Sequence, residues 1–336
     1  MTTPLSLPTK NKRTSFRDTV VTFIRENRRG TSALVIFVVL MTIFAILNPQ
    51  VFTNPITYRA VFISLPISLF VVVPLVFVIT SGEIDLSFPA IVGVSSWAFA
   101  AAVNAGWDPF LAVIPAVLIG MMTGAVVGIL VTYVGLSSLV ATLGMQFLLR
   151  GLINMGTEGV AMQFPTISDT TLFKITASRI GNFPVQMLWG IAFVAIGWVL
   201  FNVHKFGVHT RFIGDNPDSA QEMGIDVKRV KIMTFVYVGL GAALAGVLSV
   251  LVNRNWWPST GDGLLLPVLA AVFVGGTPTW GGVATVVGSS IGVFIIAFIE
   301  TGIISAGLTG YHTRFFNGLV IIASLIGHRF NGPRHR

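Results

Sequence analysis

Long apolar runs recur along almost the whole chain of 336 residues, and they restrict the folds it can adopt. A helix needs about 20 apolar residues to cross a bilayer, and inside lipid a helix satisfies its own backbone hydrogen bonds. Because only 10% of the residues are charged, a soluble domain of ordinary composition is excluded. The sequence therefore predicts an all-α, polytopic membrane protein. Its apolar runs are 32–48, 60–80, 87–104, 110–134, 138–155, 185–203, 232–252, 264–276, 283–300 and 314–327.

Lys and Arg cluster in three segments, and these clusters orient the predicted spans. The N-terminal segment 1–30, the central segment 204–231 and the C-terminal end with its tail 331–336 are all basic. Segments rich in Lys and Arg remain on the cytoplasmic side of a membrane. Six apolar runs precede the central segment and four follow it. This parity places both termini and the central segment in the cytoplasm, with residues 31–330 as a single transmembrane domain.

The number of spans depends on two short runs, 264–276 and 314–327. About ten transmembrane helices is the prediction, and eight is the fallback if two of the short runs are re-entrant. Basic and apolar residues alternate at helical intervals over 16–28, which predicts an interfacial helix. The outward segment 156–184 is the longest and has room for small structured elements.

The central segment, HKFGVHTRFIGDNPDSAQEMGIDVKRVK, contains the signals of a short helix. Asn216 suits the N-cap, Pro217 the first helical position, and Gly224 a left-handed stop. The resulting helix, 217–223, has about two turns and is expected to expose Ala220 and Met223. A helix of that length needs a partner surface to be stable. The segment is therefore either a docking site or an ordinary capped loop.

Two breaks with similar sequences indicate an internal repeat. VITSGEIDLSFPAIVGVSSWAFA (78–100) and VFVGGTPTWGGVATVVGSSIGVFI (272–295) share an apolar run, a Gly-containing break and a Val-Gly-Ser-like element. If the similarity is genuine, the two halves are parallel repeats related by an axis along the membrane normal. Chance similarity between spans rich in Gly, Ser and Val is the alternative.

The first break carries acids and hydroxyls beside two apolar runs: Glu83, Asp85, Ser87 and then Phe88. Backbone leaves the helical form at membrane depth only where protein or water satisfies it, and acids there line cavities or pair with cations. We therefore interpret this break as part of a solute pathway. A cytoplasmic turn with two solvated carboxylates is the alternative.

Polar side chains further along the sequence also allow more than one structural interpretation. Thr142, Gln146 and Arg150 lie one helical turn apart, so this stripe faces either a polar lumen or a hydrogen-bonded neighbouring helix. Arg150 and Glu300 each pair across helices or extend to the membrane interface. The outward pair Trp256–Trp257 stacks on a sugar ring, touches a partner, or belongs to an aromatic belt.

Nucleotide and metal motifs are missing from the sequence. No G-x-x-x-x-G-K-[ST] segment occurs, so any ATP must be bound by another chain. The five histidines lack a metal-ligand spacing, and the chain has no cysteine. We therefore expect no cofactor in this chain. The basic segments are explained by topology, so nucleic acid is not an expected partner.

Three stretches resemble the permease subunits of bacterial ABC importers for simple sugars, the ribose, galactose, arabinose and xylose group. These are SGEIDLSFPAIVGV (81–94), the central segment 204–231, and LAAVFVGGTPTWGGVATVVGSSIGV (269–293). The resemblance covers nearly the whole chain. It implies a multi-pass bacterial inner-membrane subunit that is not an enzyme and that imports a small sugar or sugar-like polyol.

The resemblance also implies partners and site residues. The permease works as a pair with a second copy or paralogue, docked on cytoplasmic ATPase subunits that bind ATP and Mg, and is fed by a periplasmic or lipoprotein binding protein. Segment 216–224 looks like the coupling helix, while the translocation pathway is predicted around the polar residues above. The resemblance matches the coupling residues Gly214, Asn216, Pro217, Ala220 and Gly224 and the pathway residues Asp85 and Ser87. The residues themselves add Met223 to the predicted coupling set, and Glu83, Phe88, Thr142, Gln146 and Glu300 to the predicted pathway set.

Departures from the family pattern affect the substrate prediction. Phe88-Pro89 stands where many relatives have Val-Gly, and Glu300-Thr301 stands where Asn is common. Both changes reshape the predicted lumen. Two alternatives to an ABC permease are an ion-coupled secondary transporter of a small polar solute, using Glu83, Asp85 or Glu300 as ion sites, and a membrane scaffold without a solute pathway.

Overall fold

The computed structural model describes residues 28–331, so the interfacial helix predicted for 16–28 and the tail after 331 lie outside the described residues, apart from Arg28. The described chain is almost entirely helical, and its elements follow the apolar runs. The helices are α1 (Arg28–Leu47), α2 (Pro49–Phe52), α3 (Pro55–Thr80), α4 (Phe88–Asn104), α5 (Pro109–Thr132), α6 (Ser138–Thr157), α7 (Thr171–Thr176), α8 (Val185–Asn202), α9 (Lys205–Asp215), α10 (Pro217–Glu222), α11 (Val227–Asn253), α12 (Leu265–Val274), α13 (Val286–Ser305) and α14 (Gly310–Asn331).

Each predicted apolar run forms a helix, which confirms an all-α polytopic membrane protein. Within residues 28–331, six helices are long and apolar enough to cross a membrane: α3, α5, α6, α8, α11 and α13. Shorter apolar helices accompany them. The total of ten spans stays a prediction. Of the two short runs, 314–327 lies within the 22-residue α14, whereas α12 has only 10 residues. Only α12 is therefore short enough to be a half-helix.

Helices α3 and α11 form the centre of the molecule. Their most apolar segments are 72% and 67% buried, against 28% for α5 and 22% for α6. A row of glycines brings α5 against α11: a Cβ on Gly120 would lie 2.4 Å from Gly239 O, and one on Gly124 would lie 2.3 Å from Phe235 O. Small residues at four-residue spacing allow such backbone contact between membrane helices. This packing explains why glycine is common inside the apolar runs.

The segment between α6 and α8 contains the small structured elements expected there. Strand β1 (Met162–Gln163) pairs antiparallel with β4 (Asn255–Trp256), and β2 (Arg179–Ile180) pairs with β3 (Phe183–Pro184). A 3₁₀ helix (Pro165–Asp169) and α7 complete the segment. The β1–β4 pair joins the two halves of the chain on the predicted outward side.

Trp256 is part of the core rather than of an aromatic belt or a sugar platform. It is fully buried, its Nε1 donates to Ser96 Oγ at 2.9 Å, and its ring stacks on Trp97 at 6.4 Å between centroids. Trp257 is half exposed. The belt, sugar and partner interpretations are therefore wrong for Trp256 and stay open for Trp257.

Candidate functional site

The short helix of the central segment forms from its own capping residues. Asn216 accepts hydrogen bonds from the Asp218 and Ser219 backbone N–H groups, each at 3.0 Å. Gly224 has a φ of +82°, which ends the helix in the left-handed region. Helix α10 therefore lies within one residue of its predicted bounds, and a further helix, α9, precedes it.

Ala220 does not have the exposure that the sequence suggested. It is fully buried in a small apolar cluster with Ile213, Ile225 and Val230, whereas Met223 is 58% exposed. The connection between α10 and α11 folds back over α10, so that Ile225 and Val230 cover the alanine. A six-residue helix becomes stable here through its own loop. Of the two apolar residues, Met223 is the one available to a partner.

Gly214 connects the central segment to both breaks. A Cβ at this position would lie 1.7 Å from Thr80 O and 2.4 Å from Gly282 N, so only glycine fits. Gly282 N in turn donates to Thr80 O at 2.9 Å. Thr80 is the last residue of α3, and Gly282 lies in the second break, between α12 and α13. The end of α9, the end of α3 and the second break therefore meet backbone to backbone.

The first break, 81–87, is enclosed and non-helical. Glu83 Oε1 pairs with Lys231 Nζ at 2.5 Å, with both side chains more than four-fifths buried. Asp85 is fully buried, and its Oδ1 accepts from Ser87 N at 2.7 Å and from Ser87 Oγ at 2.6 Å. Among the described residues, Asp85 Oδ2 has no hydrogen-bond donor. The interpretation as a turn with solvated carboxylates is therefore wrong.

Helix α4 begins inside the bundle rather than at its edge. Phe88, its first residue, is fully buried, and Ala90 N donates to Gln146 Oε1 at 3.0 Å. Gln146 lies eight residues into α6, which is about 12 Å along that helix. Thr142 is buried and donates to Ser138 O of its own helix at 2.7 Å. Gln146 thus makes an interhelical hydrogen bond, which agrees with the interpretation that the stripe faces a hydrogen-bonded neighbouring helix.

Arg150 holds the start of α4 against the segment that leads into α12. Its Nη1 donates to Pro258 O at 2.9 Å and Thr260 O at 3.0 Å, while Nη2 donates to Pro89 O at 2.9 Å. The same Nη2 lies 2.6 Å from Asp262 Oδ1. Arg150 therefore pairs across the bundle, which is one of the two interpretations of its charge. Its guanidinium supplies hydrogen bonds to two carbonyls of a non-helical segment and to one in the first turn of α4.

Glu300 lies on α13 between two cavities. Its Oε1 accepts from Asn317 Nδ2 of α14 at 3.0 Å. The inner cavity, of about 210 Å³, is bounded by α3, the start of α12 and α13. The outer cavity, of about 500 Å³, lies toward the start of α3 and the end of α13. Both cavities share Ser64, Ala297 and Glu300.

The structure does not bring all predicted pathway residues into one cavity. Glu300 lies on cavity walls, whereas Asp85, Ser87, Phe88 and Thr142 are buried in protein contacts. Three partners were missed in the sequence: Lys231 for Glu83, Asp262 for Arg150 and Asn317 for Glu300. The sequence signal for each of these pairs was a single charged residue beside an apolar run. Such a signal indicates that a partner is needed but does not identify it. Within residues 28–331, no cluster of three or more acidic or histidine side chains is placed to hold a metal.

Comparison with known proteins identifies the family. The family model described as "Branched-chain amino acid transport system / permease component" matches residues 57–325. The autoinducer 2 import system permease protein LsrC of Yersinia pseudotuberculosis serotype O:1b is 30% identical over 311 residues, which cover 90% of this chain and 85% of that protein. LsrC of Yersinia pestis strain Pestoides F matches over the same shares at the same identity. No solved structure matches the chain. The chain therefore belongs to this permease family, as a transport subunit of a simple-sugar-type ABC importer rather than an enzyme.

Proposed function

We propose that this permease moves a small sugar or sugar-like polyol inward, driven by separate ATPase subunits that dock on the 204–231 segment. It acts with a second permease copy or paralogue and receives its solute from a periplasmic or lipoprotein binding protein. ATP and Mg belong to the ATPase, and both termini of the permease lie in the cytoplasm. The chain's own part is to alternate between inward- and outward-open packings.

The backbone junction at Gly214 is the observation that carries the docking proposal. Asn216 caps α10 directly after α9 ends at Asp215, and Gly214 precedes Asn216 by only two residues. A displacement of α10 would therefore be transmitted directly to Gly214. Gly214 is wedged between Thr80 and Gly282, at the two breaks. Packed backbone has no rotatable groups that would absorb a displacement. Movement of α10 by an ATPase would therefore shift both broken segments.

A second connection leaves the other end of the same segment. Lys231 is its last residue, lies four residues into α11, and pairs with Glu83 in the first break. The segment thus contacts the end of α3 through Gly214 and the first break through Lys231. This arrangement supports an ATPase-driven importer over an ion-coupled carrier, since Glu83 is already neutralised by a lysine of the docking segment.

Met223→Glu tests the docking proposal. Met223 is 58% exposed, so a charge there should leave insertion and thermal stability unchanged. It should abolish co-purification of the ATPase subunits and ATP-driven uptake. Val160→Glu, a change of similar exposure in the segment predicted to face outward, is the matched control and should retain the ATPase subunits. Ala220→Glu should instead destabilise the permease, because Ala220 is buried.

Two results would contradict the proposal. One is wild-type uptake by the Met223→Glu variant in proteoliposomes with ATPase and binding protein. The other is uptake by the permease alone under a proton or sodium gradient, which would support the ion-coupled alternative.

The relatives are named for autoinducer 2 and the family model for branched-chain amino acids. Both solutes therefore belong in the uptake panel beside pentoses, hexoses and polyols.

A further inference from the structure

A strip of polar side chains on α3 and α13, set among apolar lining residues, connects the two cavities at Glu300. Ser64 and Ser68 are one helical turn apart on α3, and Ser64 shares both cavities with Glu300. Asn54, Thr57, Thr301 and Ser305 continue the strip around the outer cavity. The outer cavity's volume lies within the range of small-molecule sites, roughly 300–1,000 Å³. A solute entering from the outer cavity would pass Glu300 before reaching the inner one.

Glu300 and Ser64 supply hydrogen-bond acceptors at this position. Asn317 fixes Glu300 through Oε1, and no described residue donates a hydrogen bond to Oε2. Ser64 donates its hydroxyl proton to Val61 O at 3.1 Å, which leaves its lone pairs to accept. An ionised carboxylate accepts only. A matching solute must therefore supply O–H or N–H donors.

Glu300 supplies the ionisable group at this position. Glu300 is the one charged side chain among the residues lining either cavity. A carboxylate on the solute would be repelled by an ionised Glu300 at close range, because the two like charges meet in a partly buried site.

The inner cavity also lies where the backbone is interrupted. Gly263, Leu264 and Pro267, at the start of the short helix α12, form one of its walls. Transporter solute sites commonly form at the starts of such discontinuous helices near the middle of the membrane. Glu300 therefore lines the same cavity as the start of a short, discontinuous helix.

We propose that Glu300 is a specificity determinant that binds the hydroxyl groups of a neutral polyol and rejects solutes carrying a carboxylate. The inference rests on the proposed transport function, because it assigns the solute class to a cavity of that pathway. Asn317 serves as a positioning residue, since it holds the carboxylate toward the cavities.

Protection of a single cysteine tests this without requiring transport. The chain has no cysteine, so Ser68→Cys creates one thiol at the inner cavity, and Thr166→Cys creates a control thiol far from it. Maleimide labelling of the full chain, reconstituted with its ATPase subunits, is measured with D-glucitol or D-gluconate. These probes differ only in a terminal hydroxymethyl or carboxylate group. Glu300→Gln removes the charge at nearly constant shape, and Glu300→Asp retains it.

With Glu or Asp at position 300, equal protection of the cysteine at position 68 should require at least about a tenfold higher concentration of D-gluconate than of D-glucitol. In Glu300→Gln that difference should disappear, while labelling at 166 stays unaffected throughout. Equal protection by both probes in the wild-type site, an unchanged ratio in Glu300→Gln, or no protection by either probe overturns the proposal. Failure of ATP-driven uptake with normal protection would instead count against the transport function alone.

Discussion

Replacing Arg150 with Met should be far more destabilising than removing the charge of its ionic partner. Four of the five N–H donors of the guanidinium are used: three bind backbone carbonyls and one binds Asp262. Removing one partner of a buried, hydrogen-bonded charge costs about 3–5 kcal/mol, because the groups left behind lose their bonds. We expect a loss of that size in the free energy of unfolding for Arg150→Met.

Asp262→Asn should cost only about 0–1 kcal/mol, because the Asp262 side chain is 52% exposed and water replaces its bond. Arg150→Lys should fall between the two, since an ammonium keeps the charge but cannot span the acceptors that a planar fork reaches. The size of the loss in the free energy of unfolding thus distinguishes hydrogen bonding to the backbone from ion pairing with Asp262.

Unfolding titration in mixed detergent micelles measures the free energies, with ATP-driven uptake followed in parallel. Arg179→Met, at an exposed arginine of the outward segment, is the matched control and should behave as wild type. The reasoning is refuted if Asp262→Asn is as costly as Arg150→Met, or if Arg150→Met lies within about 0.5 kcal/mol of wild type.

Three further changes test neighbouring contacts. Gly93→Ala would place a Cβ 2.8 Å from Arg150 Nη1 and 3.0 Å from Thr260 O, so thermal unfolding should show a loss of about 1–3 kcal/mol, of which Arg150→Met removes only the part due to the guanidinium. Gly214→Ala would meet backbone that cannot rotate away, so uptake should be lost even where membrane insertion persists, as fractionation would show. Glu83→Gln leaves Lys231 buried without its partner and should lower the free energy of unfolding by roughly 3–5 kcal/mol. The double variant that swaps the charges, Glu83→Lys with Lys231→Glu, should recover a substantial part of that loss in the same unfolding titration. No recovery in the swapped pair would contradict the ion-pair assignment.

Features governed by local chemistry could be predicted from the sequence. Hydropathy over about 20 residues located the helices, because the bilayer imposes that length on any helical span. The caps of α10 depend on Asn216, Pro217 and Gly224, which act within one turn of the chain. The break at 81–89 was likewise visible, since acids and a proline interrupt an apolar run.

Features set by distant contacts could not be predicted in the same way. Ala220 is buried because Ile225 and Val230 fold over it, and an exposed alanine would have the same local sequence. The carbonyl partners of Arg150 lie up to 110 residues away in the chain and are backbone atoms, which no residue type reveals. The burial of Trp256 follows from its strand pairing with β1, another long-range contact.

The two connections from the docking segment differ in stiffness, and this difference predicts how coupling fails. Lys231 reaches Glu83 through a flexible side chain, so a shift of α11 can be taken up by rotamer changes. At Gly214 the contact is between backbone atoms, and a shift of α9 must displace Thr80 or Gly282. Glu83→Gln should therefore lower stability while the ATP hydrolysed per solute imported changes little. Gly214→Ala should raise that ratio severalfold in the complexes that remain assembled. The reverse order in proteoliposomes would show that force travels through the ion pair instead of the backbone junction.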